Sequence, residues 1–282
     1  MRTYIKKNIL TKANLGTIIF FLLNAWFILG IYATAGIYGI MLGLGMYVVS
    51  ILFAFSAYGE WILCLMAGAR KMTRVDMKIR IIPLLEIVYN KAKRKTPDLT
   101  DKIVLKVIYT SEPNAYAIGR RTICVTEGLL MLPDDVIMGI LAHEVAHLAY
   151  RHTEVQLLIG GSNFLITSFI LFFKVFAIVN VFLAFFSSSR SRTFGTVFFA
   201  ALVWLWTRFC LLFLRWSMRE NEFEADQYAF ELGYGFELIK GLDAIGTNEP
   251  QESFFRAMYS THPNTHDRIG RLQQLGVQYD RY

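Results

Sequence analysis

Nearly every residue from Leu15 to Ile31 is apolar, and after a short link that carries no charge the pattern resumes from Ile37 to Ala57. A helix needs about 20 apolar residues to cross a bilayer. In lipid its backbone groups must be satisfied within the segment, which leaves helix as the conformation for runs of this length. Two membrane helices joined as a hairpin are therefore the first expectation. Arg2, Lys6, Lys7 and Lys12 precede the first run, and Arg70, Lys71, Arg74, Lys78 and Arg80 follow the second. That asymmetry puts the amino terminus and the chain after Arg70 on the cytoplasmic side. Ala33-Thr34-Ala35 has the small residues of a signal-peptidase site, but the apolar run before it is longer than a signal core. Gly39 and Gly43 are spaced for close packing of the hairpin.

A second apolar region runs from Leu157 to Phe186, turns through Ser187–Arg192 and returns from Thr193 to Leu214. Lys174 interrupts its first half; on an over-long span it can snorkel to the interface. Arg215 and Arg219 close the last run, so the chain reads as four crossings in two hairpins. Residues 1–66 form the first hairpin and 157–216 the second, with soluble parts at 67–156 and 217–282. With 55% hydrophobic and 18% charged residues, the composition fits a membrane protein. The net charge of +7 sits beside the apolar runs. Lipid is therefore its expected partner, and no nucleic acid is expected. The three cysteines, Cys64, Cys124 and Cys210, are too few for a disulfide framework.

Between the hairpins, Leu132 to His147 reads as a helix, with Pro133 in its first turn and Asp134 and Asp135 complementing the positive end of its dipole. It ends in His143-Glu144-Val145-Ala146-His147. Residues four apart lie one above the other on a helix, so both imidazoles can face one zinc ion, with Glu144 close enough to act as base on water. A catalytic zinc takes a third protein ligand and keeps one position open. Thr153 and Tyr150 stand where a metzincin would have its third histidine and its glycine, which excludes that class. His152, nine residues beyond His143, falls about 180° round a continued helix and reads as an interfacial histidine. The best third ligand is Glu222, just after the last apolar run. Asp226, one turn on, can accept a hydrogen bond from a ligand histidine and fix its tautomer. Glu220 and Glu224 point elsewhere on that helix. Two crossings after His147 return the chain to the cytoplasmic side, where Glu222 can reach the metal.

The pairing of His143-Glu-Val-Ala-His147 with Glu222-Phe-Glu-Ala-Asp226 resembles the M48 metallopeptidases, and the four-span layout resembles their HtpX branch. The likeness extends to Asn114-Ala-Tyr-Ala-Ile-Gly, Val125-Thr-Glu-Gly-Leu-Leu, Ser260-Thr-His-Pro and Arg268-Ile, and so covers almost the whole chain. It implies an α-helical membrane protein carrying an α+β zincin domain of the gluzincin type. One zinc per chain would sit on His143, His147 and Glu222, with Asp226 behind them. Three short strands are read at Ile103–Ile108, Asn114–Ile118 and Thr122–Val125, the last two flanking the turn at Gly119-Arg120-Arg121. The resemblance makes Asn114, Ala115, Tyr116 and Ala117 the edge that pairs with extended substrate, a mode in which main-chain bonds make few demands on sequence. It also places His262 near the metal to stabilise an oxyanion. For Arg268 a supporting catalytic role and a structural salt bridge both stand.

The expected reaction is hydrolysis of peptide bonds by water made nucleophilic by zinc, with Glu144 as base and then as proton donor to the leaving amine. Cytoplasmic placement makes the cytosolic parts of membrane proteins the expected substrates. The resemblance adds quality control of misfolded ones. A CAAX-type prenyl-protein endopeptidase shares the motifs but encloses its site within about seven spans. A non-catalytic membrane adaptor would have no need of Glu144.

Overall fold

The computed structural model describes residues 12–33, 36–154, 190–246 and 265–280, together with 157 and 179. The chain divides into two compact units, one of Leu15–Ser56 with Leu158–Trp216, the other of Met1–Asn14, Ala57–Leu157 and Ser217–Tyr282. The expected span from Leu157 to Phe186, Lys174 and His262 lie outside the described residues, apart from 157 and 179.

In the first unit, α1 (Lys12–Ala33) and α2 (Gly36–Ala54) correspond to the two leading apolar runs. Among the described residues, Gly36–Ala54 is the one helix long and apolar enough to cross a membrane; the apolar stretches Asn14–Phe27 and Ala57–Met66 are shorter. Tyr38, Met41, Leu42, Val49 and Leu52 of α2 are all more than half exposed. Among the described residues, no core receives these large apolar side chains. The side chain of Tyr32 lies against Gly43, where a Cβ would come within 2.9 Å of the ring. Trp206 stacks on Phe27, with ring centroids 5.6 Å apart.

Trp206 belongs to α6 (Arg190–Glu231), 42 residues without a break. The helix begins at Arg190, inside the stretch read as a turn. From Thr196 to Leu232 there is no glycine or proline to interrupt it, and Gly233, at φ 83°, ends it.

The second unit is α+β. A short helix, α3 (Ala57–Met66), leads to a two-residue strand β1 (Arg70–Lys71), which the sequence reading lacks, and then to α4 (Val75–Lys95). Strands β2 (Val104–Ile108), β3 (Ala115–Ile118) and β4 (Thr122–Thr126) follow, close to their expected bounds. The sheet order is β1-β2-β4-β3, with β2 and β4 parallel and β3 antiparallel to β4. Strand β3 is thus an edge. Gly119, at φ 65°, makes the turn between β3 and β4. A Cβ there would also run into Glu60 of α3. Thr122 donates its hydroxyl to Glu60 at 2.5 Å and the Arg120 amide donates to it at 3.2 Å, so α3 grips the hairpin turn.

Helix α5 (Asp134–Ala149) starts one residue after Pro133, which occupies the capping position. It is buried from Val136 to Leu148 except at Met138, because α4, the sheet and α7 (Gly235–Gly246) surround it. Met77, Ile81, Leu84, Leu85, Val88 and Ala92 form the buried face of α4 at helical spacing. A Cβ on Gly139 would lie 2.5 Å from the Leu238 backbone nitrogen, and one on Gly241 would lie 2.8 Å from Ile140. Gly139 lets α5 approach the backbone of α7, and Gly241 leaves room for the Ile140 side chain. A last helix, α8 (Thr265–Gln274), adds Ile269 and Leu272 to the same core.

Candidate metal centre

His143 and His147 project from the C-terminal half of α5, and Glu222 from the part of α6 beyond Ser217. Their ligand atoms lie within 4.8 Å of one another, and all three residues are buried. The His143 and His147 Nε2 atoms are 3.1 Å apart. Glu222 Oε2 is 3.3 Å from the first and Oε1 is 3.4 Å from the second. Ligands held about 2.0–2.1 Å from a tetrahedral metal are about 3.3 Å from one another. The three separations fit a metal of that size, and two imidazoles with one carboxylate are a donor set that zinc takes.

Charge makes the same case. Among the described residues, Glu144, Glu222 and Asp226 are at most 7% exposed, and the buried Arg or Lys beside them is Arg268. With neutral imidazoles, three carboxylates and one guanidinium leave two uncompensated negative charges, the amount a divalent cation neutralises. Without metal the cluster draws in a proton. Burial and Arg268 both disfavour charge on His143, yet hydrogen bonds to Asp226 and Glu222 prevail and raise its pKa to about 9.

Asp226 accepts from His143 Nδ1 at 2.9 Å, and this leaves Nε2 facing the other ligand atoms. Arg268 forks onto Asp226, with Nε 2.8 Å from Oδ2 and Nη2 2.6 Å from Oδ1, and its Nη1 is 3.2 Å from Glu222 Oε2. Burial would push the Asp226 carboxyl up, but the guanidinium holds it at about 2. The structure therefore gives Arg268 a salt bridge that also orients two carboxylates of the site. Its Nη2 also lies 3.2 Å from His143 Nδ1.

Glu144 lies beside the edge strand and accepts the amide hydrogen of Ala117 at 2.6 Å. Asn114, Ala115, Tyr116 and Ala117 run along β3 and its approach. The Asn114 side chain is occupied locally, donating to Tyr116 Oη at 2.8 Å and accepting from the Ala115 amide at 2.8 Å. The Thr126 hydroxyl accepts from the Asn114 amide and donates to its carbonyl. Asn114 is thus an anchor for the strand.

His152 corrects the sequence reading. It is 1% exposed, with Nδ1 3.1 Å from His147 Nδ1 and Nε2 3.2 Å from Glu224 Oε2. Burial, against the pull of Glu224, lowers its pKa to about 4. Helix α5 stops at Ala149, so the angle reckoned for a continued helix does not apply. Glu224, read as pointing elsewhere, meets the site through His152.

Two histidines one turn apart on a buried helix, a carboxylate from a second helix and a glutamate under an edge strand define a metallopeptidase of the zincin type. The profile of peptidase family M48 matches residues 81–275, and the chain belongs to that family. A protein named protease HtpX homolog from Acaryochloris marina is 29% identical over 294 residues, which cover 92% of this chain and 93% of the relative. Another of that name from Neisseria meningitidis is 28% identical over 213 residues, covering 68% and 72%. The crystal structure of Ste24p from S. mikatae is similar in fold, with a TM-score of 0.51 at 19% identity. That similarity covers 88% of this chain and 61% of the Ste24p chain.

Proposed function

We propose that this chain is a membrane-embedded, zinc-dependent endopeptidase that cuts the cytosolic parts of membrane proteins, misfolded ones included. The observation that carries this reading is the convergence of His143, His147 and Glu222 next to a glutamate held by an edge strand. When bound by those three side chains, zinc supplies the Lewis acidity that makes water a nucleophile near neutral pH. Glu144 takes the proton of the attacking water and returns it to the departing amine. Asp226 holds His143 in the tautomer that leaves Nε2 free, and Arg268 holds Asp226. An extended substrate pairs along Asn114–Ala117, adding a strand to the sheet. His262 is the proposed partner for the oxyanion.

For the membrane, the outward-facing apolar residues of α2 and the basic residues flanking the apolar runs support four spans with both termini and the site in the cytoplasm. Residues 1–66 and 157–216 would be the hairpins, and 67–156 with 217–282 the catalytic domain. The test is to purify the protein in detergent, measure zinc per chain and compare cleavage of an unfolded membrane protein by wild type and Glu144→Gln. One zinc in both forms, with cleavage by wild type alone, is expected. Equal cleavage by both would sink the mechanism, and a wild type that keeps zinc without cutting would favour the adaptor.

A further inference from the structure

Helix α5 ends unusually. Tyr150 keeps helical angles, but Arg151 takes φ 61°, a left-handed conformation that a residue with a side chain adopts only under constraint. The reversal folds His152 back beneath His147, where its ring stacks on Tyr150 at 5.5 Å. His152 then has an imidazole on one ring nitrogen and a carboxylate on the other: Nδ1 meets His147 Nδ1 at 3.1 Å, and Nε2 meets Glu224 Oε2 at 3.2 Å.

The hydrogens in this chain admit one assignment once the metal reading above is accepted, and the inference rests on that reading. His147 Nε2 faces His143 and Glu222, so it offers its lone pair and Nδ1 carries the proton. That proton is donated to His152 Nδ1. His152 therefore carries its own proton on Nε2 and donates it to the Glu224 carboxylate. His143 has a carboxylate directly on its Nδ1, whereas His147 has an imidazole there, with the carboxylate one ring further out.

We propose that His152 and Glu224 are positioning residues that fix the tautomer and orientation of His147, doing through two groups what Asp226 does for His143 through one. Ligand histidines are commonly oriented in this way, and loss of the orienting group costs about 10–100-fold in metal affinity. His152 is no metal ligand itself. It meets His147 on the ring nitrogen away from the other ligands.

The experiment compares zinc affinity of the full chain in detergent, by chelator competition, in wild type, His152→Phe, His152→Gln and Glu224→Ala, with the visible spectrum of the cobalt-substituted forms as a second readout. His152→Phe fills the space without accepting a hydrogen bond and should lose about 10–100-fold in affinity, with an altered cobalt spectrum. His152→Gln can accept from His147 and donate to Glu224, and should restore most of the loss. Glu224→Ala should weaken zinc in the same direction, and should add little in the His152→Phe background. Should His152→Phe not fold, Glu224→Ala alone decides, since it alters a partly exposed side chain. Full affinity and an unchanged spectrum in the folded variants would overturn the relay while leaving the metal site standing. A second zinc per chain, lost with His152, would overturn it by making His152 a ligand. A wild type that binds no zinc would remove the metal site and the relay together.

Discussion

The Glu144 carboxylate and the Ala117 amide are joined at 2.6 Å, so the glutamate of the zinc-helix motif and the edge strand are one hydrogen-bonded assembly. Ala117→Pro removes that one donor on an edge strand, a position that tolerates proline. A hydrogen bond to a charged group contributes about 1.5–3 kcal/mol. The turnover of Ala117→Pro should therefore fall by roughly 10–100-fold, by the same principle, with zinc content unchanged. Activity at the wild-type level would show that Glu144 needs no such support.

Arg268 is 4% exposed and holds the carboxylates of Asp226 and Glu222. Arg268→Ala leaves those charges buried without their cation, a change that costs about 3–5 kcal/mol. Thermal unfolding of the metal-free protein should show a clear loss of stability, and zinc affinity should fall as Asp226 loosens its hold on His143. Lysine restores the charge without the fork, so Arg268→Lys should recover only part of both.

Metal loading should depend on pH in a defined sense. In the metal-free protein the pKa of His143 is raised from 6.5 to about 9. Its protonation therefore stabilises that form fully below about 6.5, and this contribution disappears as pH rises through about 9. Zinc requires the neutral ring. Between pH 7 and 9 loading should expel a proton from His143, and affinity should climb with pH until it levels near 9. Calorimetry in buffers of different ionisation enthalpy counts that proton, and a pH-independent affinity would contradict the assignment.

Glu60 ties α3 to the turn that carries the edge strand. Glu60→Ala should cost about 1–2 kcal/mol, the worth of its hydrogen bonds. KM for extended peptides should rise more than kcat falls, since it is the strand and not Glu144 that loses its brace. Steady-state kinetics on a quenched peptide separate the two.

Much of this centre is written in local spacing. His143, Glu144 and His147 follow from one helical turn, and Glu222 with Asp226 from another, because both helices are long and free of breakers there. The three longer strands show in their branched residues and in Gly119. What escaped has no such mark. Strand β1 is two residues long, too short for any alternation to appear. His152 was misplaced because Arg151 takes the left-handed turn that glycine or asparagine normally signals. Glu60 is one acid in an otherwise apolar helix, and only the fold shows that Thr122 and Gly119 lie beneath it. The fork of Arg268 onto Asp226 joins residues 42 apart in the chain, and no local spacing announces it.

From Ser217 to Glu231 helix α6 runs without a break, which sets Glu222 and Asp226 one turn apart on one face. Each helical residue turns the chain by about 100°. One residue inserted between them would swing Asp226 away from His143 by that angle although no side chain of the site had changed. In this stretch length is as constrained as chemistry, like the spacing of teeth on a gear.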